Sequence, residues 1–227
     1  MPSAFDAVLL AGGRASRIGG DDKTTFTSRG ERLVDLAVAA ADGAASLIVV
    51  GARDGSPLPE GAITTREDPP WAGPVAALAA GLDAVDRPSP ETLVLACDLP
   101  RAPEAVRALR GARGGAGRLA PDDGDEGTPE PGSGRDGLIA VDAGGRRQPL
   151  LALYRTDALR ERLDALRADG ALAGLSMRRL LDGLDLVEAP LPDELCADVD
   201  TPADLERLGV VRQAGPPSPQ PTPPTAG

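Results

Sequence analysis

The sequence contains no histidine, which excludes serine–histidine triads, histidine metal sites and imidazole acid–base catalysis together. Its two cysteines, Cys97 and Cys196, stand far apart and form no C-x-x-C pair. That spacing suggests neither a zinc cluster nor a disulfide framework. Aromatic residues make up 2% of the chain, so the core has to be assembled from Ala, Val and Leu. No apolar run approaches the ~20 residues of a membrane span, and the amino terminus lacks the basic region of a secretory leader. A soluble, cytoplasmic protein without a membrane partner is therefore expected. Basic residues are outnumbered, giving a formal net charge of −11. Nucleic acid is excluded as a partner by that balance, because neutralising phosphates requires a basic face.

What the sequence does contain is alternation. Short apolar runs at 4–10, 46–50, 92–97, 138–142 and 149–154 predict strands. Amphipathic stretches at 31–42, 74–86, 103–110, 155–167 and 202–208 predict helices. Strands and helices in this rhythm imply βαβ units and a largely parallel sheet, an α/β fold. The 227 residues suffice for one domain, expected over 1–211. Glycine and proline crowd residues 111–137, so 113–136 reads as a flexible loop. Residues 212–227 hold six prolines and few apolar anchors, the composition of a disordered tail.

The richest chemistry lies directly after the first strand. Leu10-Ala11-Gly12-Gly13 is followed by Arg17, a second glycine pair at Gly19-Gly20, and Lys23. A glycine-rich turn leaving a strand presents backbone N–H groups, and Arg17 and Lys23 add charge where phosphate oxygens would sit. Two familiar phosphate loops are ruled out by spacing. Asp21 and Asp22 separate Gly20 from Lys23, so no Walker A lysine is present, and no Gly-x-Gly-x-x-Gly occurs in the turn. The turn reads as a nucleoside triphosphate site.

Two further stretches supply carboxylates. Leu93-Val94-Leu95-Ala96-Cys97-Asp98-Leu99-Pro100 delivers Asp98 at the carboxyl end of an apolar strand, where open parallel sheets bind ligands. A carboxylate there can hold Mg²⁺, which prefers one or two protein carboxylates plus phosphate oxygens and waters. Asp98 lies too far from the next helix to act as a simple N-cap. Late in the chain, Asp200-Thr201-Pro202 reads as a helix start with Thr201 as N-cap and Pro202 at the first helical position. Capping leaves the adjacent Asp198 and Asp200 unexplained.

Taken in order, these stretches resemble the MobA-like nucleotidyltransferase family, whose pattern includes LAGG-x-S-x-R-M-G-x-D-K. Leu10 to Gly13, Arg17, Gly19 and Lys23 match it, with Ile18 where Met is usual. Cys97-Asp98-Leu99-Pro100 resembles the family's C/G-D-M/L-P turn, whose Asp binds metal and triphosphate. Asp200-Thr201-Pro202-Ala203-Asp204-Leu205 resembles its D/N-T-P-E-D-L element, which makes Asp200 a second metal ligand. Glu67-Asp68 followed by Gly73-Pro74 is similar to the E/D-D…G-P-L-A-G-L segment, in which Asp68 contacts the nucleotide. Within that segment Trp71 reads as a packing residue sooner than as a lid or stacking residue. Gln148-Pro149-Leu150 to Arg155 resembles the acceptor-side segment, where Gln148 and the Arg146–Arg147 pair face an anionic pterin phosphate.

The resemblance implies a three-layer Rossmann-like nucleotidyltransferase fold with a mostly parallel central sheet. It implies Mg²⁺-dependent transfer of GMP from GTP to molybdenum-loaded molybdopterin. Arg17, Lys23 and Asp98 would be catalytic. Leu10, Ala11, Gly12, Gly13, Lys23, Asp68 and Asp98 would bind the nucleotide, and Asp98 and Asp200 the metal. The partners implied are GTP, a phosphorylated acceptor and, transiently, other molybdenum cofactor biosynthesis proteins. Two alternatives stand beside this reading. One is a cytidylyl- or other nucleotidyltransferase acting on molybdopterin, a sugar phosphate or another phosphorylated small molecule. The other is a non-catalytic nucleotide-binding paralogue.

Overall fold

Strand β1 (Phe5–Leu10) is a nearly continuous apolar run buried at every position, so both of its faces are covered. Its sequence neighbours are a short antiparallel pair, β2 (Phe26–Ser28) and β3 (Glu31–Arg32), then α1 (Leu33–Ala40) and β4 (Leu47–Val50). Next come β5 (Ile63–Thr65), α2 (Pro74–Asp83), β6 (Glu91–Ala96) and α3 (Ala102–Ala116). The hairpin β7 (Gly137–Val141) and β8 (Arg147–Arg155) leads to α4 (Thr156–Asp169), α5 (Met177–Leu181) and β9 (Leu186–Pro190). Then follow α6 (Asp193–Cys196), α7 (Pro202–Leu208) and β10 (Val210–Arg212). This computed structural model describes residues 4–12, 26–52, 57–116 and 136–212.

Seven strands form the central sheet in the order β5-β4-β1-β6-β8-β7-β9. All adjacent pairs are parallel except those made by β8, which runs against both β6 and β7. Each face carries its own core. Phe5, Ala7, Leu9, Leu93 and Leu95 point to the α1 and α3 side, with Val34, Ala37, Val106 and Leu109. Val8, Leu10, Ile48, Val50 and Val94 point to the α2, α4 and α5 side, with Leu78, Leu159 and Leu180. The result is a helix–sheet–helix sandwich, the three-layer α/β architecture expected from the alternation. A second, three-stranded sheet, β10-β2-β3, covers a small cluster around Phe26 and Val199.

Three details differ from the sequence reading. Helix α3 continues through Gly111, Gly114 and Gly115 to Ala116, six residues past the expected end at 110, although each helix glycine costs about 1 kcal/mol against alanine. Residue 212 belongs to β10, paired with Phe26. The rest of the expected loop and tail, 117–135 and 213–227, lies outside the described residues. Residues 31–32 are strand, so α1 starts two residues later than the predicted helix.

The sheet order also locates a site. From β1 the chain moves outward to β4 and β5, then returns to place β6 on the other side of β1. Ligands of open α/β sheets bind outside the carboxyl ends of the strands flanking such a reversal. Here those ends are Leu10 and Ala96, which lie in register.

Candidate functional site

Beyond Leu10 the chain is stitched to its neighbours. The N–H groups of Ala11 and Gly12 both donate to the Val50 carbonyl, at 2.9 and 3.2 Å. Gly51 follows with φ +78°, and its N–H donates to Thr65 at 2.9 Å, tying β5 to the same edge. A Cβ on Gly51 would lie 2.8 Å from Gly12 Cα, so this glycine is required twice, by its backbone angle and by its neighbour. The sequence reading gave Gly12 the task of approaching a ligand. Its close neighbour in the structure is Gly51, a position the sequence reading did not single out. Of the first loop's expected residues, Leu10, Ala11 and Gly12 sit at this seam. Gly13, Arg17 and Lys23 lie outside the described residues.

On the β6 side, the Cys97 N–H donates to the Leu10 carbonyl at 3.1 Å, bringing Asp98 beside the same seam. The Asp98 carbonyl in turn accepts the Val199 N–H at 3.1 Å. One backbone hydrogen bond thus joins two carboxylate-bearing stretches a hundred residues apart. Asp98, Asp198 and Asp200 all line a cavity of about 350 Å³, which Arg146 and Gln148 also line. Its apolar wall includes Ala96, Leu150, Leu151 and Met177.

Local structure accounts for each side chain's place. Thr201 caps α7 in a reciprocal capping box with Asp204. The hydrogen bonds from Arg207 and then Thr201 hold the Asp204 carboxyl down at about 2. In the β7–β8 hairpin, Asp142 Oδ1 accepts the Arg146 N–H at 2.9 Å and Oδ2 accepts from Gln148 Nε2 at 3.0 Å. Both cavity-lining residues are fixed by that one carboxylate. Arg147 instead pairs with Glu188 of β9 at 2.7 Å, so of the expected arginine pair only Arg146 reaches the cavity wall.

Both cysteines are free and buried. Burial, reinforced by the Asp98 charge, pushes the Cys97 thiol far up. Burial, with Asp142 and Asp193, pushes Cys196 up to about 11. A thiol held neutral is no nucleophile. Among the described residues no three acidic or cysteine side chains converge as a ready-made metal cluster. The hard-oxygen donors Asp98 and Asp200 nevertheless fit Mg²⁺, because that ion takes one or two protein carboxylates and completes its shell with phosphate and water.

Asp68 is exposed in the segment after β5, at the same edge of the sheet but outside the cavity lining. Beside it Glu67 is buried, and Glu67 Oε1 accepts the Trp71 N–H at 3.0 Å. Trp71 itself is 51% exposed, so the packing role expected for it is not the one it has. Gly73, with φ +99°, caps α2 and Pro74 takes the first helical turn. A Cβ on Gly81 would meet Val8 Cγ1 at 2.7 Å. Helix α2 therefore packs closely on β1 at Gly81.

Residues 7–187 match the model of the MobA-like NTP transferase domain. No curated protein matches the sequence. Molybdopterin-guanine dinucleotide biosynthesis protein A from Archaeoglobus fulgidus is 21% identical, covering 90% of this chain and 96% of that one, with a TM-score of 0.60. The 2-C-methyl-D-erythritol 4-phosphate cytidylyltransferase of Thermus thermophilus is 20% identical over 90% and 97% of the two chains, with a TM-score of 0.56. Its counterpart from Francisella tularensis is 12% identical over 91% and 99%, with a TM-score of 0.65. At these identities the likeness is one of fold.

Proposed function

Since the chain belongs to the MobA-like NTP transferase domain family and is thereby a nucleotidyltransferase, we propose that it transfers GMP from GTP to molybdenum-loaded molybdopterin. A phosphate oxygen of the acceptor attacks the α-phosphorus of GTP. The bond from that phosphorus to the bridging oxygen breaks, and pyrophosphate leaves with the electron pair. The observation that carries this reading is the cavity at the carboxyl end of β6, where Asp98, Asp198 and Asp200 share a wall with Arg146 and Gln148.

Catalysis of this kind is largely positioning and charge neutralisation. Leu10, Ala11, Gly12 and Gly13 carry the turn that binds the triphosphate, the Ala11 and Gly12 N–H groups anchoring it to Val50, and Arg17 and Lys23 offset the charge as pyrophosphate departs. Asp68 contacts the nucleoside. Asp98 and Asp200 hold Mg²⁺, which when bound supplies Lewis-acid neutralisation of phosphate oxygens. Arg146 and Gln148 orient the acceptor's phosphate. That phosphate is already ionised at neutral pH, so no general base is required, consistent with a chain that has no histidine. Such chemistry takes place in the cytoplasm, and no described helix is long and apolar enough to cross a membrane.

A cytidylyl reading stands second, favoured by the fold likeness to the two cytidylyltransferases. Pyrophosphate release, measured with GTP, CTP, ATP and UTP in the presence of Mg²⁺ and molybdenum-loaded molybdopterin, separates the two. Release with GTP alone is expected. Release with CTP alone replaces the guanylyl assignment with the cytidylyl one. Nucleotide binding without turnover redirects the search to another acceptor.

A further inference from the structure

Building on the nucleotidyl-transfer reading, we propose that Trp71 is the platform on which the base of the donor nucleotide stacks. Trp71 is the only tryptophan of the chain. With Val211, it is one of two large apolar residues exposed among those described. Its φ of +68° lies in the left-handed region, where a bulky L residue is strained. Such strain persists only where the surroundings over-determine it. Here the restraint is Glu67, a carboxylate only 8% exposed, whose Oε1 takes the Trp71 N–H. Glu67 Oε2 has no hydrogen-bond partner among the described residues. A buried acid and a strained backbone together hold an indole out toward solvent, against the preference of an apolar ring for burial.

The indole is held at a particular place. The Arg66 guanidinium carbon lies 5.9 Å from the ring centroid, and Arg66 Nη2 donates to the Ala52 carbonyl at 3.0 Å. Ala52 directly follows Gly51, the residue packed on Gly12 where the first loop leaves the sheet. On the other side, the Ala72 carbonyl accepts the Gly174 N–H at 2.7 Å, in the turn that leads to the cavity-lining Met177. Trp71 is therefore tied both to the triphosphate seam and to the turn that borders the cavity. A flat, partly exposed ring with a guanidinium beside it suits a nucleobase, since every base offers a π-face and stacking tolerates any of the four. Trp71 accordingly contributes affinity for the nucleoside part of the donor, most for purines, and leaves the phosphates to other groups.

The single tryptophan supplies its own reporter. Titrating the full-length chain with GTP is expected to quench its fluorescence, whereas tripolyphosphate, which lacks a base, leaves the emission unchanged. By calorimetry, Trp71→Ala is expected to weaken GTP and ATP binding about tenfold. The same variant should bind tripolyphosphate as the wild type does, and Trp71→Phe should recover most of the loss. Unchanged nucleotide affinity in Trp71→Ala overturns the stacking role while leaving nucleotidyl transfer intact. So does an equal loss for tripolyphosphate, which would assign Trp71 to the fold or the phosphates. Quenching by the molybdopterin acceptor alone also overturns it, moving the platform to the acceptor. Failure of the wild-type chain to bind any nucleotide removes the transfer reading and this inference together.

Discussion

At Gly51 two requirements coincide, a φ of +78° and a Gly12 Cα that would stand 2.8 Å from any Cβ. Gly51→Ala therefore has to move backbone on one side or the other, at a cost of about 1–3 kcal/mol for the disfavoured conformation alone. Urea unfolding should show that loss, and nucleotide binding should weaken with it because the seam carries the first loop. A variant as stable as wild type would mean the two glycines separate freely. Asp98, on the cavity wall, is the residue on which the proposed metal site depends most. Asp98→Asn should retain the wild-type circular dichroism spectrum and lose pyrophosphate release about a hundredfold or more. Full activity would remove Asp98 from the metal site. Asp98 stood out in the sequence because an apolar strand delivers it at its carboxyl end, and it does line the cavity there. Gly51 could not be picked out, because a lone glycine after Leu-Ile-Val-Val looks like any turn. Its partner, Gly12, is thirty-nine residues away, and only the parallel pairing of β1 with β4 brings the two together.

Among the elements, those with an apolar face or a clear cap were readable and those lacking both were not. Helices α2 and α4 fall within a few residues of where periodicity puts them, and α7, with no buried residue, starts where its Thr201-Pro202 cap puts it. The three-residue strands β2, β5 and β10 carry too few residues to show a period, and β9 ends in Pro190, which weakens any strand signal. These strands are made by pairing partners, a tertiary effect with no local signature. Helix α4 shows what local chemistry adds at an element's start. Its first-turn Asp157 is hydrogen-bonded by Arg155 and by the Ala158 N–H, and these bonds hold its carboxyl below the usual 3.8. A depressed carboxyl stabilises the folded state above its unfolded value and loses that contribution as the pH falls through its folded value. The Asp157 side-chain carbon should consequently titrate below 3.8 by NMR, and Arg155→Gln should shift its midpoint upward. A midpoint that does not move would show that Arg155 is not the cause.

Over the whole molecule, the sheet order does what no single stretch can. Asp98 and Asp200 each stood out in the sequence, but their meeting depends on the β1–β6 reversal and on the Asp98–Val199 backbone bond. Only the resemblance to the family's ordered motifs gave the sequence reading a reason to join them. Asp98 and Asp200 share the cavity wall with Asp198 and the cation Arg146, and a divalent cation there takes its ligands from one or two protein carboxylates, with water and phosphate completing the shell. A cation that binds only the folded state stabilises it by about 1.4 kcal/mol at ten times its dissociation constant. For a domain of this size that corresponds to a rise of roughly 3–6 °C in Tm. Such a rise is expected in MgCl₂ and absent in NaCl of equal ionic strength, before any nucleotide is added. Asp98→Asn combined with Asp200→Asn should remove it. An equal Mg²⁺ response in wild type and double variant would assign the effect to general screening and take the metal away from this cavity.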